Sequence, residues 1–326
     1  MERINRTQMS QELKRTKKAL ILTHQNPDGD TLGSACALYA AITESGGEAI
    51  VCTTDEPQQY YDFLAGFDLI KRITDELASR YVAEGFRIII VDAASPDRVG
   101  LTSLPQNSDT LVIDHHPSKE DYPAKACIEP HASATAELLY FLFLEAGFPI
   151  TNNVMTGIFA GIVTDTGNFK YPNVTADTMK VVGKLIDNGF DISKYSSLIY
   201  ERMPFSNRKL LGKTMERLTV SLDSQLAMSV VTWDDLTEFD ARHRDTDFII
   251  DEVRKLGGPE VYILCKEFKP EQFRVSMRGR GKLDLSKIAN KFGGGGHHDA
   301  SGFTATGDWL HVKSALLELF EPLLGK

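Results

Sequence analysis

No CxxC pair occurs in this chain: Cys36, Cys52, Cys127 and Cys265 are scattered, so the expectation is buried free thiols in a reducing compartment rather than a disulfide framework. No apolar run approaches the length of a membrane span. The polar N-terminus, MERINRTQMSQELKRTKK, lacks the apolar core of a secretory signal. A cytoplasmic protein without a membrane partner is expected. Positive charge is also short: 36 Lys+Arg against 45 Asp+Glu give a net charge of −9 and a pI of about 5.4. That balance carries no global electrostatic footprint for duplex DNA or an anionic membrane surface, although one local basic patch suffices for a small phosphate ligand. Internal repeats, low-complexity tracts and Pro/Gly/Ser-rich linkers are missing too.

What is present is a 326-residue chain with 42% hydrophobic and 25% charged residues, enough for an ample core and, by length, for two domains. A charged helix over 10–18 feeds a strand at Ala19–Thr23. TLGSACALYAAITES (31–45) is helical and ends at Gly46-Gly47. Strands follow at 48–54, at 86–94 with four branched residues from Ile88 to Val91, and at 110–117. Strands alternating with helices imply an α/β parallel sheet with helices on both faces, whose ligands bind beyond the carboxyl ends of the strands. Helical stretches run from ASATAELLYFLFLEAG to about residue 218. Strands at 225–233, 261–269 and 273–279 then mix with helices near 244–256, 284–291 and 308–324. The fold expected is an N-terminal three-layer domain over 1–200, a helical linker over 201–221 and a smaller α/β domain over 222–326. The active-site cleft is expected between the two domains.

The chemistry-bearing residues sit where those strands stop. THQNPDGD (23–30) follows the first strand and carries His24, Asp28 and Asp30; the third strand delivers Asp92, and LVIDHHP delivers Asp114, His115 and His116. A fourth candidate, Asp165, lies in GIVTDTGNF at the end of a Gly/Ala-rich helix. Taken singly, an aspartate after a strand is a helix cap or turn residue. Four separate ends that all carry ligand-type side chains are not explained by capping, nor are two consecutive histidines by turn preference. Carboxylate with imidazole suits Mn²⁺ or a similar divalent ion, Mg²⁺ or Co²⁺ being the alternatives. The candidates outnumber the needs of one ion, and two ions sharing a carboxylate can clamp the attacking and leaving oxygens of a phosphoryl transfer.

DGD, the strand ending in Asp92, DHH and TDTG resemble, in order and spacing over most of residues 19–170, the four motifs of the DHH phosphoesterase family. The resemblance implies one metal on His24, Asp28 and Asp92, and a second on Asp30, Asp92, His115 and Asp165, with Asp92 bridging. It implies that His116 faces the substrate phosphate as a catalytic residue alongside Asp92, and that Asp114 orients a histidine through its ring N–H. Asn26-Pro27 and Gly29 would turn the backbone so that Asp28 and Asp30 face different metals. No member of the set is replaced, which favours an enzyme over a binding module.

KFGGGGHHDASG (291–302) is the other unusual stretch. It follows the amphipathic LDLSKIANKF, and FRVSMRGRGK lies upstream. From Lys266 to Lys291 eight basic residues face three acidic ones, a local excess inside an acidic protein. Most of these lysines fit a solvated face; Arg278 fits an anion better, since its fork grips phosphate with two bonds. The pattern is similar to the substrate-binding domain that accompanies one DHH subfamily. It implies that Arg278, the backbone of Gly293, Gly294, Gly295 and Gly296, and His297 hold a terminal phosphate or the nucleotide; His298 has no counterpart and is expected on a loop or surface. Short two-domain members of this kind hydrolyse very short single-stranded RNA and 3′-phosphoadenosine 5′-phosphate (pAp), which makes these the expected substrates. The alternatives are a phosphodiesterase of cyclic dinucleotides or of linear products such as pGpG and pApA, an inorganic pyrophosphatase, and a nucleotide-binding regulator without turnover. The helices after Asp165 are a possible homodimer surface.

Overall fold

Near-continuous apolar runs such as ALIL and IIIV can be buried on both faces only inside a parallel sheet with helices on each side, and they are placed in one. The computed structural model describes residues 1–93, 96–105, 109–117, 123–242, 246 and 248–325, with Pro96, Asp97 and His297 described by backbone alone. Two compact units divide at Arg202 and Met203.

The first unit runs β1 (Glu2–Arg3), α1 (Arg6–Arg15), β2 (Lys18–Leu22), α2 (Gly29–Thr43), β3 (Glu48–Thr53), β4 (Lys71–Arg72), α3 (Asp75–Ala83), β5 (Arg87–Val91), β6 (Thr110–Asp114) and β7 (Lys125–Ile128). Four helices complete it: α4 (Thr135–Ala146), α5 (Asn152–Asp165), α6 (Ala176–Asp187) and α7 (Ile192–Tyr200). The seven strands form one sheet in the order β1-β7-β6-β5-β2-β3-β4, every pair parallel. Alternate residues of each strand serve opposite layers, as the pleat requires. Ala19, Ile21, Ile89, Val91, Leu111 and Ile113 pack under α1, α2, α4 and α5. Leu20, Leu22, Ile88, Ile90 and Val112 pack against Ala78, Tyr81 and Phe86 on the other face. This is the α/β parallel-sheet architecture that the alternation of strands and helices predicts.

α2 and α5 approach each other through glycine. A Cβ on Gly33 would lie 2.5 Å from the Gly157 carbonyl and 2.7 Å from the Gly161 nitrogen, and one on Gly161 would lie 2.5 Å from Oδ1 of Asp30. Both helices are almost wholly buried at this seam.

The second unit comprises α8 (Phe205–Glu216), β8 (Thr219–Ser221), β9 (Leu226–Val231), α9 (Trp233–Glu238), α10 (Ile249–Arg254), β10 (Val261–Lys269), β11 (Gln272–Gly279), α11 (Leu285–Lys291), β12 (Gly295–His297), β13 (Ala300–Thr306) and α12 (Trp309–Leu324). Its mixed sheet has the order β12-β13-β11-β10-β9-β8, with β9 and β10 parallel. α11 and α12 cover one face through Leu285, Ile288, Val312, Leu316 and Phe320. α8 and α10 cover the other through Leu210, Ile249, Ile250 and Val253.

Several elements differ from the sequence reading. The strand expected over 86–94 stops at Val91, because Asp92 turns left-handed at φ 59°. β1, β4, β7, β8, β12 and β13 are additional: five are short, and β13 (ASGFTAT) is rich in small residues, so none has the apolar pattern of an interior strand. Helix near 244–256 is confined to α10 among the described residues, and α9 stands apart, with a capping box at Thr232. All four cysteines are free and buried. Burial pushes the thiols of Cys36, Cys52 and Cys127 up to about 12, which makes them inert. No helix among the described residues is long and apolar enough to cross a membrane.

The glycine seam has a measurable consequence. Gly33→Ala inserts a methyl group against backbone that cannot swing away, and a loss of about 2 kcal/mol is expected, within the range of overpacked cores. The urea midpoint reads it; an unchanged midpoint would mean that α2 and α5 separate at no cost.

Candidate active site

Four polypeptide ends converge at the carboxyl edge of the first sheet. After β2 the chain turns at Asn26, φ 52°, whose N–H donates to Asp55 Oδ2 at 2.8 Å. Asp28 then caps α2: its Oδ1 accepts from the N–H groups of Asp30 and Thr31, both at 3.1 Å. Capping uses one oxygen and leaves Oδ2 beside His24. Gly29 is not the turn residue that the sequence suggests. It is the first residue of α2, and a Cβ there would lie 2.5 Å from the Tyr61 hydroxyl, so crowding rather than conformation requires glycine.

Asp30 reaches across to another helix. Its Oδ2 accepts from the Thr135 N–H at 2.7 Å, and its Oδ1 from the Ala136 N–H at 3.0 Å and the Ser34 hydroxyl at 3.2 Å. α4 has Ala134 at its N-cap position and no side-chain cap of its own, so Asp30 caps it from outside and meets the positive end of its dipole. The Thr135 hydroxyl donates to Asp92 Oδ1 at 2.9 Å, linking the two carboxylates. Left-handed backbone at a non-glycine residue costs about 1–3 kcal/mol, and Asp92 holds it while almost wholly buried.

The imidazoles are aimed by their second nitrogens. His24 Nδ1 donates to the Gln25 carbonyl at 2.7 Å and His115 Nδ1 to the Ala132 carbonyl at 3.1 Å, which turns both Nε2 atoms inward. His24 Nε2 lies 3.6 Å from Asp28 Oδ2 and 3.5 Å from Asp92 Oδ2. His115 Nε2 lies 3.9 Å from Asp30 Oδ2, 3.8 Å from Asp92 Oδ1 and 3.5 Å from Asp165 Oδ2. His116 is half-exposed; its ring and backbone N–H both donate to Asp114 Oδ1, each at 2.9 Å, and its Nδ1 is 3.5 Å from Asp92 Oδ1.

Three overlapping groups thus have ligand atoms close enough to share a cation: His24, Asp28 and Asp92; Asp30, His115 and Asp165; and Asp92, His115 and His116. The Nε2 atoms of His24 and His115 are buried and lack a hydrogen-bond partner among the described residues. Buried nitrogen aimed at converging carboxylates, with no protein partner, fits a site for divalent cations. Asp92 joins two of the three groups.

The charges are held under tension. Burial raises Asp30 well above the ordinary carboxylate range, reinforced by Asp92, Asp165 and Asp28. Burial also lifts Asp165 to about 6, against the pull of His115 and with the help of Asp92 and Asp28. Burial acts to lower His24, but Asp28 and Asp92 outweigh it and bring the ring to about 10. Asp114 raises His116, against a weaker effect of burial.

Some supporting groups escaped the sequence reading. Thr135 bridges Asp30 and Asp92. Asn173 donates to the Asp165 carbonyl at 3.1 Å and to the Ser133 carbonyl at 2.8 Å. A threonine opening a helix after ASA was the only hint of the first; the second has no sequence signal.

In the second unit Arg278 sits on β11, opposite Ala300 of β13, which in turn faces His297 of β12, so the three share one row across the sheet. The Arg278 Nη1 donates to the Met277 carbonyl at 3.2 Å, and its Nε is 3.5 Å from Asp251 Oδ1. The side chain of His297 lies outside the described ones. Gly293–Gly296 leads from α11 into β12, and a Cβ on Gly296 would lie 2.5 Å from the Ala300 carbonyl. His298 is exposed, its Nδ1 2.9 Å from Asp299 Oδ1.

Comparison with known proteins agrees with both halves. Residues 18–162 match the DHH family, N-terminal domain, and residues 223–326 match the DHHA1 domain. The chain is 29% identical over 282 residues to a Bacillus subtilis protein named bifunctional oligoribonuclease and PAP phosphatase NrnA, covering 86% of each. A Thermus thermophilus protein of the same name is 29% identical over 287 residues, 88% of this chain and 84% of that one. The crystal structure of an exopolyphosphatase-related protein from Bacteroides fragilis superposes with a TM-score of 0.84 over 98% of this chain and 97% of the other, at 23% identity, which establishes a common fold.

The carboxylate tension predicts a pH-dependent stability. A folded pKa of about 6 for Asp165, above the unfolded value near 3.8, means that the folded state holds the proton more tightly. The resulting stabilisation is present at acid pH and lost as pH rises through 6. In metal-free protein, Asp165→Asn is expected to raise stability at pH 8 by about 1–3 kcal/mol and to change little at pH 4. Thermal melts in EDTA at the two pH values test this; an Asn variant less stable at pH 8 would contradict it.

Proposed function

Because the chain belongs to the DHH family and is a phosphate-ester hydrolase, we propose that it is a Mn²⁺-dependent enzyme that degrades very short RNA and dephosphorylates pAp. The observation that carries this reading is the pair of orphaned Nε2 atoms facing Asp92 and three further aspartates, Asp28, Asp30 and Asp165. The choice of substrate is supported by the two relatives, each matched over more than four-fifths of its length.

His24, Asp28 and Asp92 would hold one ion, and Asp30, Asp92, His115 and Asp165 would hold the other. When bound, such ions supply Lewis acidity to a phosphoryl group and lower the pKa of water. Asp30 and Asp165, raised by burial and by their neighbouring carboxylates, would release protons on binding a cation. His116 is the general acid. Its Nδ1–H is committed to Asp114, which favours the imidazolium, and the half-exposed ring can donate its other proton to the leaving oxygen. Asp114 is a positioning residue. Residues 1–200 form the catalytic domain and 222–326 the substrate-binding domain, in which Arg278, His297 and the backbone of Gly293–Gly296 bind phosphate.

A panel of pAp, RNA from dinucleotide to long oligomer, cyclic dinucleotides and pyrophosphate tests the assignment. Rapid release of mononucleotide from dinucleotide and of phosphate from pAp is expected with Mn²⁺ and not with EDTA; hydrolysis of pyrophosphate alone would refute it. Asp92→Ala should lower kcat/KM roughly a thousandfold or more, since both ion sites lose a ligand. Arg278→Ala should raise KM about tenfold, the worth of one charge-assisted bond, with kcat nearly constant. A fall in kcat alone would assign Arg278 a different role.

A further inference from the structure

The last turn of α5, which carries Asp165, is collared by tyrosines. The Tyr200 hydroxyl donates to the Val163 carbonyl at 2.8 Å. The buried Tyr61 brings its hydroxyl to 2.5 Å from the Cβ position of Gly29, a point equally close to Thr164 Cγ2, and its ring contacts Tyr60 at 4.5 Å between centroids. Beyond Asp165, Tyr171 lies over Gly167. A Cβ on that glycine would be 2.5 and 2.6 Å from the two Cε atoms of the ring, near-equal distances that put Gly167 under the ring face. Tyr171 remains 45% exposed, and its hydroxyl has no hydrogen-bond partner among the described residues.

The segment bearing Tyr171 is firmly built. Gly167, Asn168 and Phe169 are left-handed in succession, at φ 55°, 58° and 61°, a strained run for a bulky aromatic. Buried Thr166 fastens it: its carbonyl accepts from the N–H groups of Lys170 at 2.9 Å and Tyr171 at 3.0 Å, and its hydroxyl from the Phe169 N–H at 3.1 Å. Asn173 ties the far end to the carbonyls of Asp165 and Ser133. The strained run therefore fixes an apolar ring face, open on one side, six residues from a candidate metal ligand. Such a face, with no hydrogen bond to satisfy, suits a planar π system, and prior ordering of the loop removes an entropic cost of binding.

We propose that Tyr171 is the stacking platform for a nucleobase of the nucleotide whose phosphate occupies the aspartate–histidine cluster. This rests on the nucleotide-hydrolase reading above. Stacking on an aromatic face discriminates nucleotides from phosphate esters that lack a base, while tolerating every base. It gives the enzyme a preference for nucleotide substrates that the metal ligands cannot supply.

The test compares wild type with Tyr171→Ala, Tyr171→Phe and Tyr171→Trp on pApA and on its analogue with both bases replaced by hydrogen. Tyr171→Ala is expected to raise KM for pApA about tenfold, the loss of one stacked base, with kcat within about twofold. Tyr171→Phe should match wild type, and the abasic analogue should show the same KM with wild type and Tyr171→Ala. In Tyr171→Trp, added pAp should quench the emission that the new indole contributes. The platform is refuted by a wild-type KM for Tyr171→Ala on pApA, by an equal penalty on the abasic analogue, or by unquenched emission. If wild type cleaves pApA and the variants match it, only the platform falls. If wild type cleaves neither pApA nor pAp, the nucleotide reading falls and takes the platform with it.

Discussion

The close approach of α2 and α5 is the constraint on which the site depends. Gly33, Gly157 and Gly161 let the two backbones meet without intervening side chains, and this contact brings Asp30 at the start of one helix near Asp165 at the end of the other. The parallel sheet supplies the rest, because all its strands deliver their carboxyl ends to one edge. His24, Asp92 and the His115–His116 pair arrive there on β2, β5 and β6, adjacent strands in the sheet. A separation of the two helices by one methyl group would displace Asp30 from both Asp92 and α4.

Asp30 shows how one side chain can serve fold and chemistry together. Its carboxylate satisfies two N–H groups at the start of α4 while its other lone pairs face His115. Asp28 does the same for α2, with one oxygen capping and the other turned to His24. Helix capping and ligand placement are therefore not competing explanations for these aspartates. The same geometry confines three buried or half-buried carboxylates within a small volume, and the raised pKa values of Asp30 and Asp165 are the electrostatic cost of that crowding. Stability is given up at the place where cations would restore it.

The second unit achieves order by different means. Its mixed sheet is sandwiched by α11 and α12 on one side and by α8 and α10 on the other. The glycine run continues into a strand pair rather than remaining a loop, so Arg278 and the backbone of His297 occupy fixed positions on one row. A pattern of glycines read from sequence suggests freedom; paired in register with Ala300–Gly302, it is a defined edge.

The sequence by itself determined the alternation of strands and helices and the ligand-type residues at four chain ends. Apolar runs such as IIIV and the abrupt change to D, DHH and DGD are local signals. Short edge strands such as β1 and β4 left no trace, because two residues carry no periodicity. Only the tertiary structure decided that Gly29 answers to Tyr61 rather than to a turn, that Thr135 links two aspartates, that Asn173 holds the Asp165 carbonyl, and that Tyr171 covers Gly167. These relations join residues tens of positions apart or depend on left-handed backbone at Asp92, Asn168 and Phe169. Residue type announces a ligand; the direction in which it points is set by packing, which no single segment contains.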